Sequence, residues 1–192
     1  AHASAVASSV AKAVPATFSG LLVVDFEGWR PVSADNDADY VDYNVLAGQG
    51  YTLSQYTQVS REIVRAAHPQ WSEQAVTAAA RSEFDAAAQA FFTATIEACK
   101  LTRPRAKVGF YGYPGMLSAA DMHPASYGNT ELLWLWRQLD VLTPSNYLWT
   151  EFDGRETERA VVNVQQSQQL AAMVQNVTGR RPAVLPYLWI WP

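Results

Sequence analysis

Two carboxylates separated by one residue, Asp25 and Glu27, offer the clearest chemistry in this sequence. Side chains two positions apart on an extended strand point to the same side, so the two acids are expected to lie side by side. Neighbouring carboxylates repel when both are ionised, and such a pair tends to hold a shared proton near neutral pH. A protonated acid at a strand end is what general acid catalysis requires. The alternative is structural, with the acids capping the next segment or pairing with Arg30.

The acid pair is positioned by the segment just before it, 20–24, whose sequence Gly-Leu-Leu-Val-Val is apolar. An uninterrupted apolar run predicts a strand that is buried on both faces. Gly28 and Trp29 follow the acids and predict a turn. The strand would therefore deliver both carboxylates to one end of a sheet.

Strands alternate with helices along the rest of the chain. The longest periodic segment, 73–101, predicts an amphipathic helix that begins after the N-cap Ser72 and ends at Arg103-Pro104. Its predicted buried face comprises Val76, Ala80, Phe84, Ala87, Phe91, Ala94 and Ala98. Other helices are predicted over 1–14, over 53–67 with Ile63 and Val64 on the apolar side, around 132–136 and over about 156–175, and other strands over 106–114, 145–149 and 182–190. This alternation predicts the α/β class, with a parallel sheet and crossover helices.

Polar and aromatic side chains stand at the ends of the predicted strands. Tyr111 and Tyr113 are predicted to share a face, as are Ser145 and Tyr147, and Tyr187 has a similar place in the last strand. A phenol there could donate a hydrogen bond to a substrate, or it could pack in the core with its hydroxyl satisfied. A β/α barrel places its active site at these strand ends, but it usually has eight strands and about 250 residues. The 192 residues and four predicted strands are too few for a complete barrel of this kind, so a single barrel domain over 1–192 would be incomplete or shortened.

Composition argues against several classes of function. The net charge of −4 and the lack of a basic run argue against nucleic acid as a partner. A single cysteine, Cys99, allows no internal disulfide, and the three histidines have no metal-ligand spacing. The acidic loop 35–39 lacks the glycine and glutamate of a calcium loop, so no metal is predicted, and no cofactor is either. No apolar run approaches the roughly 20 residues of a membrane span. Aromatic residues make up 12% of the chain, which suits a groove for sugars or other flat ligands, although the alternative is that most of these rings pack in the core.

Residues 18–31, Phe-Ser-Gly-Leu-Leu-Val-Val-Asp-Phe-Glu-Gly-Trp-Arg-Pro, resemble the active-site strand of the hyaluronidase family, glycoside hydrolase family 56. Other segments are similar to family motifs in the same order: His-Pro-Gln-Trp at 68–71, the helix that ends at Arg103-Pro104, Gly-Phe-Tyr-Gly-Tyr-Pro at 109–114, and then Leu-Trp-Leu-Trp, Pro-Ser-Asn-Tyr and Val-Leu-Pro-Tyr. The resemblance covers nearly the whole chain from about residue 15.

The resemblance implies a TIM-like barrel and a retaining enzyme that cleaves hyaluronan, and often chondroitin, between N-acetylhexosamine and glucuronate. The acetamido oxygen of the substrate would be the nucleophile, an exception to the two-carboxylate scheme. Glu27 would be the general acid and base, Asp25 would share its proton, and Tyr111 would polarise the acetamido group. The implied substrate-binding residues are Arg30, Tyr113, Ser145, Tyr147 and Tyr187. The implied location is secreted or lysosomal, where the sequon at Asn176 could carry a glycan.

The chain also departs from the family pattern. Gly115 and Met116 stand where a family cysteine is expected, 162–166 is uncharged, and the family's later groove strand has no counterpart after Tyr187. Because an unclosed barrel exposes sheet edges, the chain is expected to be a fragment or a shortened relative that self-associates. Three hypotheses stay open: a hyaluronidase-type glycosidase, an inactive glycan-binding relative, and a structural or interaction module.

Overall fold

The computed structural model describes residues 1–33, 54–115, 130–147 and 155–189. Its helices are α1 (His2–Ala13), α2 (Ser54–Ala67), α3 (Glu73–Thr102), α4 (Leu133–Trp136), which follows a 3-10 turn over Thr130–Leu132, and α5 (Arg155–Thr178). Its strands are β1 (Leu21–Val24), β2 (Lys107–Phe110), β3 (Val141–Leu142), β4 (Ser145–Tyr147), β5 (Ala183–Val184) and β6 (Tyr187–Trp189). The predicted alternation of helices and strands is confirmed. The acidic loop 35–39 lies outside the described residues.

The chain forms two compact units. The first comprises residues 1–26 and 92–192 and contains all the described strands, and the second comprises residues 27–91. The boundary within α3 falls between Phe91 and Phe92. None of the described helices is both long enough and apolar enough to cross a membrane.

The ladders of the first unit are all parallel. β1 pairs with β2 over four residues, β3 with β5 over two, and β4 with β6 over three. Bridges from Tyr111 and Tyr113 to Thr143 join the end of β2 to the segment between β3 and β4. The predicted parallel sheet is therefore confirmed, whereas the strands within the described ranges do not close a barrel.

Two of the strands differ from the sequence-based prediction. The predicted strand 182–190 is divided into β5 and β6, and Pro186, which has no N–H to donate to a ladder, lies between them. The short strand β3 is not predicted at all, because two residues are too few to carry a periodic signal.

β1 is less buried than the sequence predicts. Leu21 is 48% exposed, and the other three residues of the strand are half-buried. The prediction of burial on both faces is therefore wrong. Among the described strands β1 pairs only with β2, so it lies at an edge, where fewer neighbouring side chains cover its faces. β2, in contrast, is buried from Val108 to Phe110.

Aromatic side chains fill the core of the first unit. The ring of Phe92 packs against Phe110, Tyr113 and Phe26, with centroids 4.8, 5.8 and 5.9 Å apart. Each fully buried side chain of this size stabilises the fold by roughly 1.5–3 kcal/mol. Gly109 lets β2 approach β3 closely, since a Cβ atom there would lie 2.5 Å from Cγ2 of Val141.

The amino-terminal ends of the strands converge on Asp140, which precedes β3 and is 17% exposed. Its Oδ2 accepts a hydrogen bond of 3.0 Å from the backbone N–H of Val108 and lies 3.4 Å from Nζ of Lys100. Its Oδ1 accepts a bond of 2.9 Å from Nη1 of Arg180. One carboxylate thus joins α3, β2 and the segment before β5, and its charge is met by two cations.

In the second unit, α2 and α3 pack together through Val64, Val76 and Ala80. Ile63 is 62% exposed, so its predicted place on the apolar side is wrong. Successive helical residues are about 100° apart, and Val64 alone of the two faces the core. The predicted N-cap is confirmed, since Oγ of Ser72 accepts a hydrogen bond from the N–H of Ala75.

The buried face of α3 follows the prediction only in part. Val76, Ala80 and Ala98 are buried, but Ala87 is exposed and its neighbour Ala88 is buried instead. A straight helix of 3.6 residues per turn drifts against a regular repeat of buried positions over its 30 residues. The buried stripe therefore moves around the helix along its length.

Candidate active site

Asp25 lies at the carboxyl end of β1, in the first unit. Pairing with β2 stops at Val24, so the acid is placed just past the strand rather than on it. The side chain of Asp25 is exposed, while the next residue, Phe26, is half-buried and packs edge-on against Phe92. This aromatic contact holds the backbone beside the acid and leaves its carboxylate open to solvent.

Glu27 and Arg30 belong to the second unit. Glu27 is exposed and Arg30 is half-buried. They lie near Trp29, whose ring packs against Phe84 and Phe91 of α3, with centroids 5.7 and 5.1 Å apart. The segment after Glu27 is therefore held by an aromatic cluster of its own. The shared proton of the acid pair stays a prediction.

Four of the predicted site residues meet where Tyr111, the first residue after β2, faces β4 and β6. The other three are Ser145 and Tyr147 of β4 and Tyr187 of β6. The hydroxyl oxygens of Tyr111 and Ser145 lie 3.2 Å apart, within hydrogen-bond distance. The ring of Tyr111 packs edge-on against Tyr187 and in a tilted arrangement against Tyr147, with centroids 5.0 and 6.0 Å apart. Parallel pairing of β4 with β6 places Ser145 opposite Tyr187, which explains why the residues converge. We call Tyr111, Ser145, Tyr147 and Tyr187 the tyrosine cluster.

Sequence reasoning missed a neighbour of this cluster, Trp189. Its ring packs edge-on against Tyr147 at 5.7 Å and is 41% exposed. The signal was available, because Trp189 is two residues after Tyr187 and side chains two apart on a strand share a face. Exposed rings beside hydroxyl groups can stack on a sugar face while the hydroxyls bind its oxygens.

Tyr113 lies apart from the tyrosine cluster. It is 1% exposed and its ring packs against Phe92, Phe110 and Trp136 in the core. The prediction that it shares a face with Tyr111 is wrong. The reason is Gly112, whose positive φ of 74° interrupts the strand alternation between the two tyrosines. A ligand could not reach Tyr113 in this conformation, which argues against its predicted role in substrate binding.

The remaining candidates contribute no chemistry to the cluster. Asn176 is exposed in the last turn of α5, and the hydroxyl of its sequon residue Thr178 donates to the carbonyl of Val174. Burial raises the pKa of the Cys99 thiol, which keeps the group protonated and disfavours a nucleophilic role. Within the described ranges, no three His, Cys, Asp or Glu residues are grouped so as to hold a metal ion.

A separate small cavity of about 10 Å³ lies in the second unit. It is lined by Ser33, Thr57, Ser60, Arg61, Thr77, Ala80, Arg81 and Phe84. None of the predicted site residues lines this cavity. This cavity therefore carries none of the chemistry that the sequence predicts.

Comparison with protein families gives a match to the family model of glycoside hydrolase family 56, described as hyaluronidase, over residues 1–190. The hyaluronidase of Apis mellifera is 32% identical over 181 residues, which cover 90% of this chain and 43% of the bee protein. Hyaluronidase-1 of Homo sapiens is 32% identical over 201 residues, which cover 100% of this chain and 43% of the human protein.

Solved structures give the same result at the level of the fold. The crystal structure of bee venom hyaluronidase in complex with a hyaluronic acid tetramer matches with a TM-score of 0.80 and 31% sequence identity. The match covers 95% of this chain and 54% of the bee venom chain. This chain thus spans about half the length of the relatives that it matches.

Proposed function

The chain belongs to the hyaluronidase family, glycoside hydrolase family 56, and from this premise we propose that it provides the catalytic acids of a retaining endo-β-N-acetylhexosaminidase. The proposed substrate is hyaluronan, with chondroitin as a second substrate. Residues 1–192 would be part of one β/α-barrel glycosidase domain, secreted or held in an acidic compartment such as the lysosome.

The proposed reaction uses the acetamido group of the substrate as its nucleophile. Glu27 donates a proton to the leaving glycosidic oxygen as the acetamido oxygen attacks the anomeric carbon. Glu27 then takes a proton from the water that opens the resulting cyclic intermediate, so the anomeric configuration is retained. Asp25 shares its proton with Glu27 and orients the acetamido nitrogen.

Tyr111 supplies the third catalytic group in this scheme. Its hydroxyl binds the acetamido group and polarises it, and such a preorganised donor is stronger in a water-poor groove than in water. Ser145, Tyr147 and Tyr187 would bind the sugar rings around it, and Arg30 would attract a carboxylate of the polymer. Tyr113, buried in the core, has no part in the proposed site.

One observation carries this proposal: Asp25 and Tyr111 are the first residues after the paired parallel strands β1 and β2, so both lie at the carboxyl edge of that sheet. Tyr111 also contacts Ser145, Tyr147 and Tyr187 of the tyrosine cluster. Glycosidases built on β/α barrels place their catalytic groups at this edge. The bee venom relative was crystallised with a hyaluronic acid tetramer, which supports a glycosaminoglycan as the ligand.

The test is the release of reducing ends from hyaluronan and from chondroitin, measured between pH 3.5 and 7.5 for this chain and for Glu27→Gln. We expect activity in the parent chain and a loss of about 10²–10⁴-fold in the variant, the usual range for removal of a general acid. Circular dichroism should show that both proteins are folded. Equal activity in the two proteins, or none in a folded parent chain, would refute the proposal for this chain.

A second candidate function is glycan binding without hydrolysis. It is favoured by the exposed rings of Tyr187 and Trp189, which are 36% and 41% exposed, and which would serve binding whether or not the acids are active. Calorimetry with hyaluronan oligosaccharides separates the two functions. Binding that Glu27→Gln retains and Trp189→Ala loses, in a chain without activity, would identify a binding relative.

A further inference from the structure

A pair of buried asparagines lies between β4 and α5 in the first unit. Asn146 is 4% exposed and Asn163 is 2% exposed. Nδ2 of Asn163 donates a hydrogen bond of 2.7 Å to Oδ1 of Asn146 and makes a longer contact of 3.4 Å with the backbone carbonyl of Ser145. A helix packed on a strand would ordinarily bury apolar side chains at such positions.

Stability does not explain the pair. Within the described ranges, Nδ2 of Asn146 and Oδ1 of Asn163 have no hydrogen-bond partner, although both atoms are buried. Burial of an amide that is only partly hydrogen-bonded is unfavourable, and an apolar pair of similar shape would avoid that cost. A polar pair that does not maximise stability can instead fix one arrangement of the two elements.

The element that the asparagine pair holds in place is β4. Asn146 lies between Ser145 and Tyr147, and alternation along the strand turns those two side chains to the opposite face, toward Tyr111. Among the described residues, β4 has three residues and one ladder, with β6. Few backbone hydrogen bonds therefore hold β4 in place. The contacts of Asn163 with Asn146 and Ser145 add a further link between β4 and α5.

We propose that Asn146 and Asn163 form a positioning pair, which locks β4 against α5 and so holds Ser145 and Tyr147 in register with the hydroxyl of Tyr111. This inference rests on the proposed function, because the geometry that it preserves is that of the tyrosine cluster. The pair touches no substrate. It acts through Ser145, whose hydroxyl keeps the Tyr111 hydroxyl directed to the acetamido group.

The test compares the double variant Asn146→Leu/Asn163→Leu with Ser167→Ala. Leucine has the branched shape of asparagine and leaves no unpaired amide. Ser167 is a matched control because it is fully buried on the same helix, and its hydroxyl donates to the backbone carbonyl of Asn163 within that helix. In the double variant we expect kcat to fall about 10-fold with KM within about twofold, since a small misplacement of catalytic groups lowers the rate of the chemical step. Ser167→Ala should keep kcat within about twofold.

A second readout does not depend on activity. NMR spectra of the protein with ¹³C-labelled tyrosine rings, assigned with Tyr111→Phe and Tyr147→Phe, should show shifted Tyr111 and Tyr147 signals in the double variant and unchanged signals in Ser167→Ala. If the leucine variant does not fold, Asn146→Ala/Asn163→Ala replaces it in both measurements.

The two hypotheses fail in different ways. Unchanged ring signals in the double variant, or equal changes in Ser167→Ala, would overturn the positioning role. If neither the parent chain nor any variant hydrolyses hyaluronan, the proposed function fails, and the ring signals still decide what the asparagine pair does.

Discussion

The two ends of the strands in the first unit place an acidic side chain in opposite environments. At the amino-terminal end, Asp140 is mostly buried and is bound by Lys100, Arg180 and a backbone N–H. At the carboxyl end, Asp25 is exposed. A carboxylate with its charge met by fixed partners stabilises a fold, whereas an acid with an open side can exchange protons with a substrate. The amino-terminal end is thus built for stability, and the carboxyl end is the one left open for the proposed chemistry.

The same substitution at both ends would test this contrast, and the largest effect is expected at the carboxyl end. Asp25→Asn should lower hydrolysis of hyaluronan about 10²-fold, because the amide cannot share a proton with Glu27. Its free energy of unfolding in urea should stay within about 0.5 kcal/mol of the parent value, as for most exposed positions. An Asp25→Asn variant with full activity would show that Asp25 is not one of the catalytic groups.

Tyr111→Phe sharpens the comparison within the carboxyl end. It removes the hydroxyl that contacts Ser145 and keeps the ring that packs on Tyr147 and Tyr187. We expect kcat to fall about 10²-fold, the effect of removing one donor to a developing charge.

Thermal unfolding should show little change for this variant, and Tyr113→Phe is its control. Tyr113 lies in the core, so its substitution should leave kcat unaltered. A loss of activity that is equal in the two variants would contradict the separation of the tyrosines.

Asp140→Asn tests the amino-terminal end. Removal of the charge leaves Lys100 and Arg180 without their common counter-ion, and we expect a loss of about 1–2 kcal/mol in the free energy of unfolding. The estimate is for hydrogen bonds to charged groups, lowered because both cations are more than a third exposed. Activity per folded molecule should be unchanged.

Glu73→Gln provides the matched control for this measurement. Glu73 pairs with Arg61 and Arg65 but is 70% exposed, so its loss should cost less than about 1 kcal/mol. An equal loss in the free energy of unfolding for Asp140→Asn and Glu73→Gln would show that burial of Asp140 does not strengthen its ion pairs.

The smallest effect is expected at Cys99, which is buried on α3 and belongs to neither of the two strand ends compared above. Burial raises its pKa in the folded protein, so the folded state keeps its proton at a pH where the unfolded thiol, with a pKa of about 8.5, has lost it. The free energy of unfolding should therefore fall as the pH rises above about 8.5, until the folded thiol also ionises. Cys99→Ala should remove this part of the pH dependence in urea titrations, and an unchanged slope would contradict the assignment.

Local patterns in the sequence predicted much of the fold. The long helix α3, its N-cap Ser72 and the parallel alternation of strands and helices are confirmed, because they depend on helical periodicity, capping and strand–helix order. The division of the last strand at Pro186 was a local signal that the prediction did not use. The two-residue strands and the exposure of β1 could not be predicted in this way. They depend on which strands find neighbours, and a single segment does not carry that information.

The candidate site, like the fold, could be predicted from the sequence only in part. The sequence by itself determined the chemical types of the candidate groups. They are the carboxylates of Asp25 and Glu27, the phenols of Tyr111, Tyr147 and Tyr187, and the hydroxyl of Ser145. Only the tertiary structure decided that Tyr113 turns into the core at Gly112 and that Trp189 joins the cluster. It also decided that a buried asparagine on α5 anchors β4. Residue types and their spacing are local, whereas the direction of a side chain after a turn depends on packing between elements that are distant in the chain.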